Sequence, residues 1–262
     1  MTFVLVFFTA HWALAAFFQS FFLHRYGAHG QFTMSRRWER VFYVGTYLAL
    51  GASFLPPRAY ALMHRAHHAY SDGPLDPHSP RNHRGPLGLM LATRRTFDDL
   101  ALRRVAPEPR FEGGYPEWPW LDRLGWWAPG QVAWGCAYAL LYVSFAPAFL
   151  WPLVAVHLFM GPVHGFLVNW LGHRIGYRNF DLRDDSRNVL PLELLVMGEM
   201  MQNNHHRHPM RASFAVRRFE VDPTGMVVHA LARLGVVRLR GSTTPDRTAV
   251  SLPGRTASPQ AR

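Results

Sequence analysis

Histidine is the residue type most able to do chemistry in this 262-residue chain, because most of its fifteen copies lie in tight groups. Neutral imidazole is a good ligand for iron, zinc and copper, and a pair of metal ions needs many such ligands. The grouping therefore predicts a metal centre built from imidazoles. The grouped residues are His24, His29, His64, His67, His68, His173, His205 and His206.

The spacing inside the groups favours convergence. His24 and His29 form an HxxxxH pattern, and residues 64–68 form HxxHH. Positions i, i+3 and i+4 share one face of a helix, so the three imidazoles of HxxHH can approach one point. Residues 202–206 read QxxHH, and residues 169–173 read NxxxH. One such pattern alone is weak, but four of them beside apolar runs are hard to explain by chance.

The apolar runs predict membrane spans that position the groups. Residues 1–23 contain no Asp, Glu, Lys or Arg, and neither do residues 124–173. A helix of about 20 apolar residues crosses the hydrocarbon core of a bilayer. The first run predicts one span, retained because it lacks the basic start of a signal peptide. The second run has room for two spans, and Pro147 and Pro152 predict a helical hairpin between them.

The other segments predict a cap outside the spans. Residues 41–57 are interpreted as an interfacial or buried segment that returns to the same face, because a crossing there would separate the first two histidine groups. Residues 94–104 and 221–239 each predict an amphipathic helix. Residues 1–240 are expected to form one domain. The Ser, Thr, Pro and Arg of residues 241–262 predict a disordered tail.

Charge and cysteine content exclude several classes of protein. The formal net charge is +11, and all 28 basic residues are arginine. These arginines flank the apolar runs, as in membrane proteins with positive cytoplasmic parts. No basic stripe interleaved with aromatic residues indicates a nucleic-acid partner. Cys136 is the only cysteine, so the chain has neither an internal disulfide nor a cysteine metal cluster.

Several histidines outside the groups have simpler interpretations. His11, His157 and His164 lie inside the predicted spans, where polar side chains are costly. We expect them to face the bundle interior as hydrogen-bonded buried residues rather than as metal ligands. His78 and His83 are interpreted as structural or substrate-side residues of a polar loop.

Taken together, the four patterns resemble the membrane fatty acid desaturases of the acyl-CoA type, over roughly residues 21–223. Further shared features are Asp76-Pro77-His78, Asn169 with His173, and Gly198-Glu199; residues 111–118 and the Gln202-Asn203-Asn204 form of the third group are similar to a bacterial branch of that family.

The resemblance implies an all-α membrane protein with about three transmembrane helices, interfacial helices and a cytoplasmic helical cap that holds a di-iron site. It implies two iron ions and dioxygen as co-substrate, with no catalytic residue beyond the metal ligands. All eight grouped histidines then bind iron, and Asn169 reaches one iron through a water. It also implies the bacterial inner membrane as location, with the site facing the cytoplasm.

The implied reaction is oxygen-dependent desaturation of a fatty acyl chain, which introduces a cis double bond. The acyl group would be carried on CoA, a carrier protein or a lipid, in an apolar tunnel walled partly by residues 41–55. Electrons would come from a separate ferredoxin-like or cytochrome b5-like protein with its reductase. Chain length, bond position and oligomeric state stay open. Phosphates of a carrier, or lipid headgroups, are candidate ligands of Arg58, Arg65, Arg81 and Arg84.

The chain departs from the family pattern at two points. The third group usually begins with histidine, whereas here the position is Gln202, a weaker and harder donor that is a tentative ligand. The chain also has room for one span before His24, where the acyl-CoA type has two. The N-terminus would then lie outside if the histidine groups are cytoplasmic.

Two rival functions would also use many histidines. A hydroxylase on the same scaffold would share all the iron ligands and differ in transferring oxygen to the lipid. A membrane metal transporter or chaperone belongs to another class, and its spans would carry ionisable residues along a pathway. Here the predicted spans hold only His11, His157 and His164, which disfavours transport.

Overall fold

A computed structural model describes residues 1–240, which form a mostly helical protein, as predicted. A small antiparallel sheet pairs β1 (Phe32–Met34) with β2 (Val237–Leu239). The residues of the predicted tail, 241–262, lie outside the described part. The helices are α1 (Thr2–Phe18), α2 (Arg36–Leu50), α3 (Pro57–Tyr70), α4 (Pro86–Ala101), α5 (Pro119–Trp126), α6 (Ala128–Phe145), α7 (Leu153–Phe166), α8 (Gln202–Arg207) and α9 (Pro223–Arg233), with short 3-10 turns at Gly51–Ser53, Pro80–Asn82, Pro109–Phe111 and Ala148–Leu150.

Within residues 1–240, two helices are long and apolar enough to cross a membrane. α1 continues into a π-helical segment, Gln19–Ala28, so the first runs over Thr2–Ala28. The second runs over Ala148–Leu171 and ends in another π-helical segment, Leu167–Leu171. α6 is the other half of the predicted hairpin and packs against both α1 and α7. It has 18 residues and leaves Leu140 68% exposed.

Residues 41–57 turn the chain back, as their interpretation requires. α2 begins at the N-cap Ser35, whose side chain accepts a hydrogen bond from the backbone of the first turn, and packs along α1. It ends at Gly51, whose φ of 52° lies in the left-handed region that favours glycine. A Cβ there would lie 1.9 Å from the Tyr138 hydroxyl, so glycine is also required by space. Pro57 then starts α3 at a position where its missing N–H costs nothing.

The two amphipathic segments differ from their predicted bounds. α4 begins at Pro86, eight residues before the predicted start, because proline fixes a helical φ there. The predicted helix over 221–239 is wrong in its last third. Gly235 adopts a φ of 73° and ends the helix, and the residues that follow form β2. The β-branched side chain of Val237 favours a strand once β1 offers a partner.

Candidate metal centre

The structure brings the eight grouped histidines together in two neighbouring clusters. Within each cluster, one ring nitrogen of every member lies within 4.8 Å of those of the others. Most of the imidazoles are buried. Cluster A contains His24, His29, His64, His68 and His205, and cluster B contains His67, His173 and His206.

The π-helical winding after α1 places the first pair. Residues five apart in an α-helix point about 140° away from each other. Here the backbone N–H of His29 donates to the carbonyl of His24 at 3.1 Å, the five-residue hydrogen bond of a π-helix. The wider turn brings the two side chains to one side, with 3.1 Å between their Nε2 atoms. The HxxxxH spacing thus converges because the helix changes its winding.

α3 supplies both clusters, contrary to the expectation that its three histidines approach one point. His64 and His68 join cluster A, whereas His67 joins cluster B. On an α-helix, position i+4 lies about 40° to one side of position i and position i+3 about 60° to the other. The HxxHH pattern therefore straddles two sites. α8 divides in the same way, with His205 in cluster A and His206 in cluster B.

Hydrogen bonds in cluster B leave two lone pairs facing each other. The Nδ1 atom of His67 lies 2.8 Å from Asp76, and that of His206 lies 3.1 Å from Asp184. A neutral imidazole that donates from Nδ1 has no proton on Nε2. The two Nε2 atoms nevertheless lie 3.3 Å apart. Two lone pairs at this distance repel unless a cation lies beside both, so the arrangement fits a metal ion.

His173, the third member of cluster B, is also paired with a carboxylate through its Nδ1 atom. The Nδ1 atom of His173 lies 2.8 Å from Asp72, and among residues 1–240 its buried Nε2 atom has no hydrogen-bond partner. A buried acceptor without a partner is costly. Coordination of a metal would satisfy it.

Cluster A shows spacings that suit a coordination shell. The Nε2 atom of His24 lies 3.0 Å from that of His205, and the Nε2 atoms of His29 and His64 are 2.8 Å apart. Metal–imidazole bonds of about 2.1 Å at right angles put adjacent nitrogens about 3.0 Å apart. The His68 and His205 pair, at 2.9 Å, fits the same spacing. The donor set of both clusters therefore fits metal ions.

Carboxylates orient the histidines, a role that the sequence did not predict for them. Burial alone would raise the pKa of Asp76, but its hydrogen bond and charge interaction with His67 hold that pKa below its usual range. The pKa values of Asp72 and Asp184 are held low in the same way by His173 and His206. Histidines that bind metal usually donate their other N–H to such a group. This general pairing could have identified two of the carboxylates from the sequence, since Asp72 and Asp76 closely follow the HxxHH pattern.

Cluster A has one carboxylate partner, held in a buried network. Glu199 accepts hydrogen bonds from His24 and Ser20 and, at 3.1 Å, from Arg25. Arg25 is fully buried and donates two further bonds to Asp222, at 2.9 and 3.0 Å. The guanidinium compensates both carboxylates, so burying this charge does not leave it unpaired.

Gln202 and Asn169, the two predicted ligands that are not histidines, each donate a hydrogen bond to a backbone carbonyl. Gln202 is 1% exposed, and its amide donates to the Glu199 carbonyl at 2.6 Å. A Cβ on Gly172 would lie 2.6 Å from Cγ of Gln202, so glycine permits this close packing. Asn169 donates to the Gly165 carbonyl at 2.8 Å. Their roles toward a metal stay predictions.

The four arginines predicted to bind phosphate differ in their surroundings. Arg58 is buried, donates to a carbonyl of α4 at 2.9 Å and faces two glutamates at 3.5 Å. Arg65 donates to four backbone carbonyls, which ties α3 to the π-helical segment and to the loop after α4. Arg81 pairs with Asp185 at the surface, and Arg84 is exposed. Arg58 and Arg65 thus serve the fold in this structure.

A cavity of about 180 Å³ lies beside the clusters. His24 and His64 contribute to its wall, and residues 52–55 line it, as expected for a tunnel walled by that segment. His78 also lines it, and in the described part of the chain its ring nitrogens have no hydrogen-bond partner. Burial lowers the pKa of His78 to about 3, so its ring is neutral at pH 7. The apolar wall includes Phe54, Leu55, Leu89, Phe97, Leu158 and Val168.

The three histidines of the predicted spans divide into two kinds. The Nδ1 atoms of His11 and His157 are 2.7 Å apart, and the Tyr142 hydroxyl lies 2.9 Å from the other nitrogen of His157. Their prediction as hydrogen-bonded buried residues is confirmed. The prediction is wrong for His164, whose ring nitrogens have no partner within residues 1–240. Its ring packs edge-on against Trp12 and lines the cavity, which explains the difference.

The fold and site define a mostly helical membrane protein with a paired histidine centre beside an apolar cavity. Such a centre suits oxidative chemistry on a hydrocarbon. Residues 2–222 match the family model described as "Fatty acid desaturase", and the chain belongs to that family. It is an oxidoreductase that desaturates fatty acyl chains.

Named relatives agree on acyl chains and differ in the carrier. The chain is 30% identical to an sn-1 stearoyl-lipid 9-desaturase of Anabaena variabilis, covering 81% of this chain and 74% of the relative. It is 28% identical to an sn-2 palmitoyl-lipid 9-desaturase of Nostoc sp. (strain 36), covering 90% and 80%. It is 27% identical to a hex-5-enoyl-[acyl-carrier protein] acetylenase of Moorena producens (strain JHB), covering 86% and 73%. The predicted family is confirmed, and the acyl-CoA type stays a prediction.

Proposed function

We propose that clusters A and B each hold one iron ion, and that the chain uses them with dioxygen to desaturate a fatty acyl chain. The observation that carries the proposal is the pair of Nε2 lone pairs of His67 and His206, 3.3 Å apart. Both Nδ1 atoms are committed to carboxylates, so a cation is the simplest occupant of that space. Imidazole is a good ligand of iron.

Bound iron, the carboxylates and the cavity wall would have different roles in the reaction. Bound iron would supply the activation of dioxygen and the removal of hydrogen from an unactivated methylene group. The carboxylates Asp72, Asp76 and Asp184 keep the Nε2 atoms of cluster B unprotonated and aimed at the site. The apolar wall of the cavity places one methylene pair beside the clusters and excludes water.

The overall reaction requires a source of electrons and protons. Two hydrogens leave adjacent methylenes as the double bond forms, and dioxygen is reduced to two waters with two further electrons and two protons. We propose that a separate electron donor, ferredoxin-like or cytochrome b5-like, supplies the electrons. We place the clusters on the cytoplasmic side of a bacterial inner membrane, where such donors and their reductases lie.

We further propose that the acyl group is carried on a lipid. The Nostoc and Anabaena relatives are named as acyl-lipid desaturases. Arg58 and Arg65, two of the four arginines predicted to bind carrier phosphates, are engaged by protein groups. Arg81 is also paired with a protein group, Asp185, so the exposed Arg84 is the remaining candidate for contact with a phosphate.

Expression in a host with a simple lipid profile tests both proposals. Mass spectrometry of total fatty acids should show a new monounsaturated species, enriched first in intact phospholipids. Purified protein should contain about two iron ions per chain. Hydroxylated lipid as the sole product would favour the hydroxylase. Readily exchanged zinc or copper without iron would contradict the di-iron site.

A further inference from the structure

A short loop beside α1 exposes apolar side chains. Residues 190–195 lie between the segment that carries Asp184 and the start of α8, and four of these six residues are leucines. These are 42 to 57% exposed. Exposed apolar patches of this kind indicate contact with a partner or a membrane. The four are Leu190, Leu192, Leu194 and Leu195.

The one charged residue of the loop is buried. Glu193 lies among the leucines but is fully buried. Its carboxylate accepts hydrogen bonds from the backbone of Val196 at 2.8 Å and of Gly198 at 2.6 Å. Burial raises the pKa of Glu193, as expected for a carboxyl removed from water. The outer surface of the loop is therefore apolar, although its sequence contains an acidic residue.

The loop is continuous with the membrane-spanning surface. The indole N–H of Trp12 donates to the Leu195 carbonyl at 2.7 Å. Trp12 lies about 15 Å along α1 from Thr2, within the segment long and apolar enough to span a bilayer. The contact satisfies a donor and an acceptor that hydrocarbon cannot satisfy. The exposed leucines therefore extend the apolar face that α1 presents.

The residues that follow the loop face the site. Val196 is 1% exposed and lines the cavity, as does Glu199, which accepts a hydrogen bond from His24 of cluster A. The exposed leucines are thus followed directly in the chain by residues of the cavity wall.

We propose that residues 190–195 insert into the bilayer beside α1, at the boundary of headgroups and acyl chains, directly before Val196 of the cavity wall. The partner is the acyl chains of membrane lipids. Irregular backbone is poorly tolerated deep in hydrocarbon, which favours shallow insertion. The inference rests on the proposed membrane insertion of the chain and adds an anchor outside the predicted spans.

Fluorescence quenching in lipid nanodiscs tests the insertion with the full-length protein. In a Cys136→Ser background, a single cysteine replaces Leu194 and is labelled with a small environment-sensitive dye. Two matched variants give the reference levels. Leu140→Cys reports on α6, where the side chain is 68% exposed, and Asp181→Cys reports on an exposed cap loop.

The expected result is quenching of the Leu194→Cys label by lipids with a nitroxide near the headgroup, several times stronger than for Asp181→Cys. Iodide in the buffer should quench it several times less than Asp181→Cys. If Leu140→Cys is lipid-quenched while Leu194→Cys responds to iodide like Asp181→Cys, the loop lies in water and the inference is overturned. If Leu140→Cys also responds to iodide, membrane insertion itself fails, and the inference with it. Iron content and activity play no part in the readout.

Discussion

The Nδ1 atom of His67 lies 2.8 Å from a carboxylate oxygen of Asp76, and this pairing recurs at every histidine of cluster B. Cluster A has five histidines and a single carboxylate, Glu199, whose charge Arg25 compensates. The two sites are therefore electrostatically unequal. Cluster B has fewer imidazoles but more negative charge behind them.

Replacing Asp76 with asparagine should weaken metal binding without unfolding the chain. The asparagine amide keeps an oxygen that can accept from His67, but it lacks the charge that makes the imidazole a stronger donor. Loss of such a partner typically costs 10 to 100-fold in metal affinity. We expect purified Asp76→Asn protein to lose about one of its two iron ions during dialysis against a mild chelator, as measured by plasma mass spectrometry.

Asp98→Asn is the matched control, because Asp98 pairs with Arg94 on the exposed side of α4. It should retain iron like the unaltered protein. Equal iron retention in Asp76→Asn and Asp98→Asn would refute the orienting role of the carboxylate.

Substitution of one histidine in either cluster should abolish activity. His67→Ala removes a ligand of cluster B and His205→Ala one of cluster A. Because the reaction needs both metal ions, each variant should form less than about 1% of the product while inserting into the membrane normally. Product is measured by mass spectrometry of fatty acids, and insertion by membrane fractionation.

His229→Ala controls for the loss of an imidazole. His229 lies on α9 and bonds to a carbonyl of its own helix at 2.8 Å, away from both clusters. This variant should keep its activity. Full activity in His67→Ala or His205→Ala would show that the clusters are not the catalytic site.

The sequence predicted the eight histidines because ligand type and local spacing are properties of short segments. It also predicted the turn back over residues 41–57, since the first two groups cannot share a site otherwise. It did not predict which cluster each histidine joins. That assignment depends on the π-helical winding at residues 19–28 and on the side of α3 that faces each neighbour, which only packing decides.

The carboxylates were missed for a related reason. Asp184 lies 22 residues before His206, in an irregular loop whose path no periodicity describes. Glu199 and His24 are 175 residues apart. Pairings at such separations follow from tertiary structure. The strand at residues 237–239 was missed similarly, because β2 exists only through pairing with β1.

Replacement of Gln202, the glutamine of the third histidine group, by histidine should be tolerated. Gln202 is buried against Gly172 and is the first residue of α8, the helix that carries His205 and His206. If this position donates to a metal, Gln202→His should retain or increase the iron content and keep activity within a few-fold. Gln202→Ala removes the donor and the bond to the Glu199 carbonyl, so it should hold less iron.

Iron titration of apoprotein with each variant distinguishes the outcomes. A Gln202→Ala protein that binds iron as tightly as the unaltered chain would show that position 202 is not a ligand. Loss of iron in Gln202→His but not in Gln202→Ala would show that the site has no room for imidazole.

Asp122 should make stability depend on pH in a direction that is unusual for a carboxylate. Burial raises the pKa of Asp122 to about 6, even though the Tyr43 hydroxyl at 2.5 Å and a backbone N–H donate to it. The unfolded chain has the ordinary value of about 3.9. The folded state therefore binds the proton more tightly, and this group's contribution to stability is lost as pH rises from about 4 through 6.

Asp122→Asn mimics the protonated form. Its melting temperature should exceed that of the unaltered protein at pH 7, and the difference should shrink toward zero by pH 4. Comparing the two proteins at each pH cancels the contributions of the histidine clusters, and Asp98→Asn should show no such trend. A difference that is constant from pH 4 to 7 would show that Asp122 titrates normally.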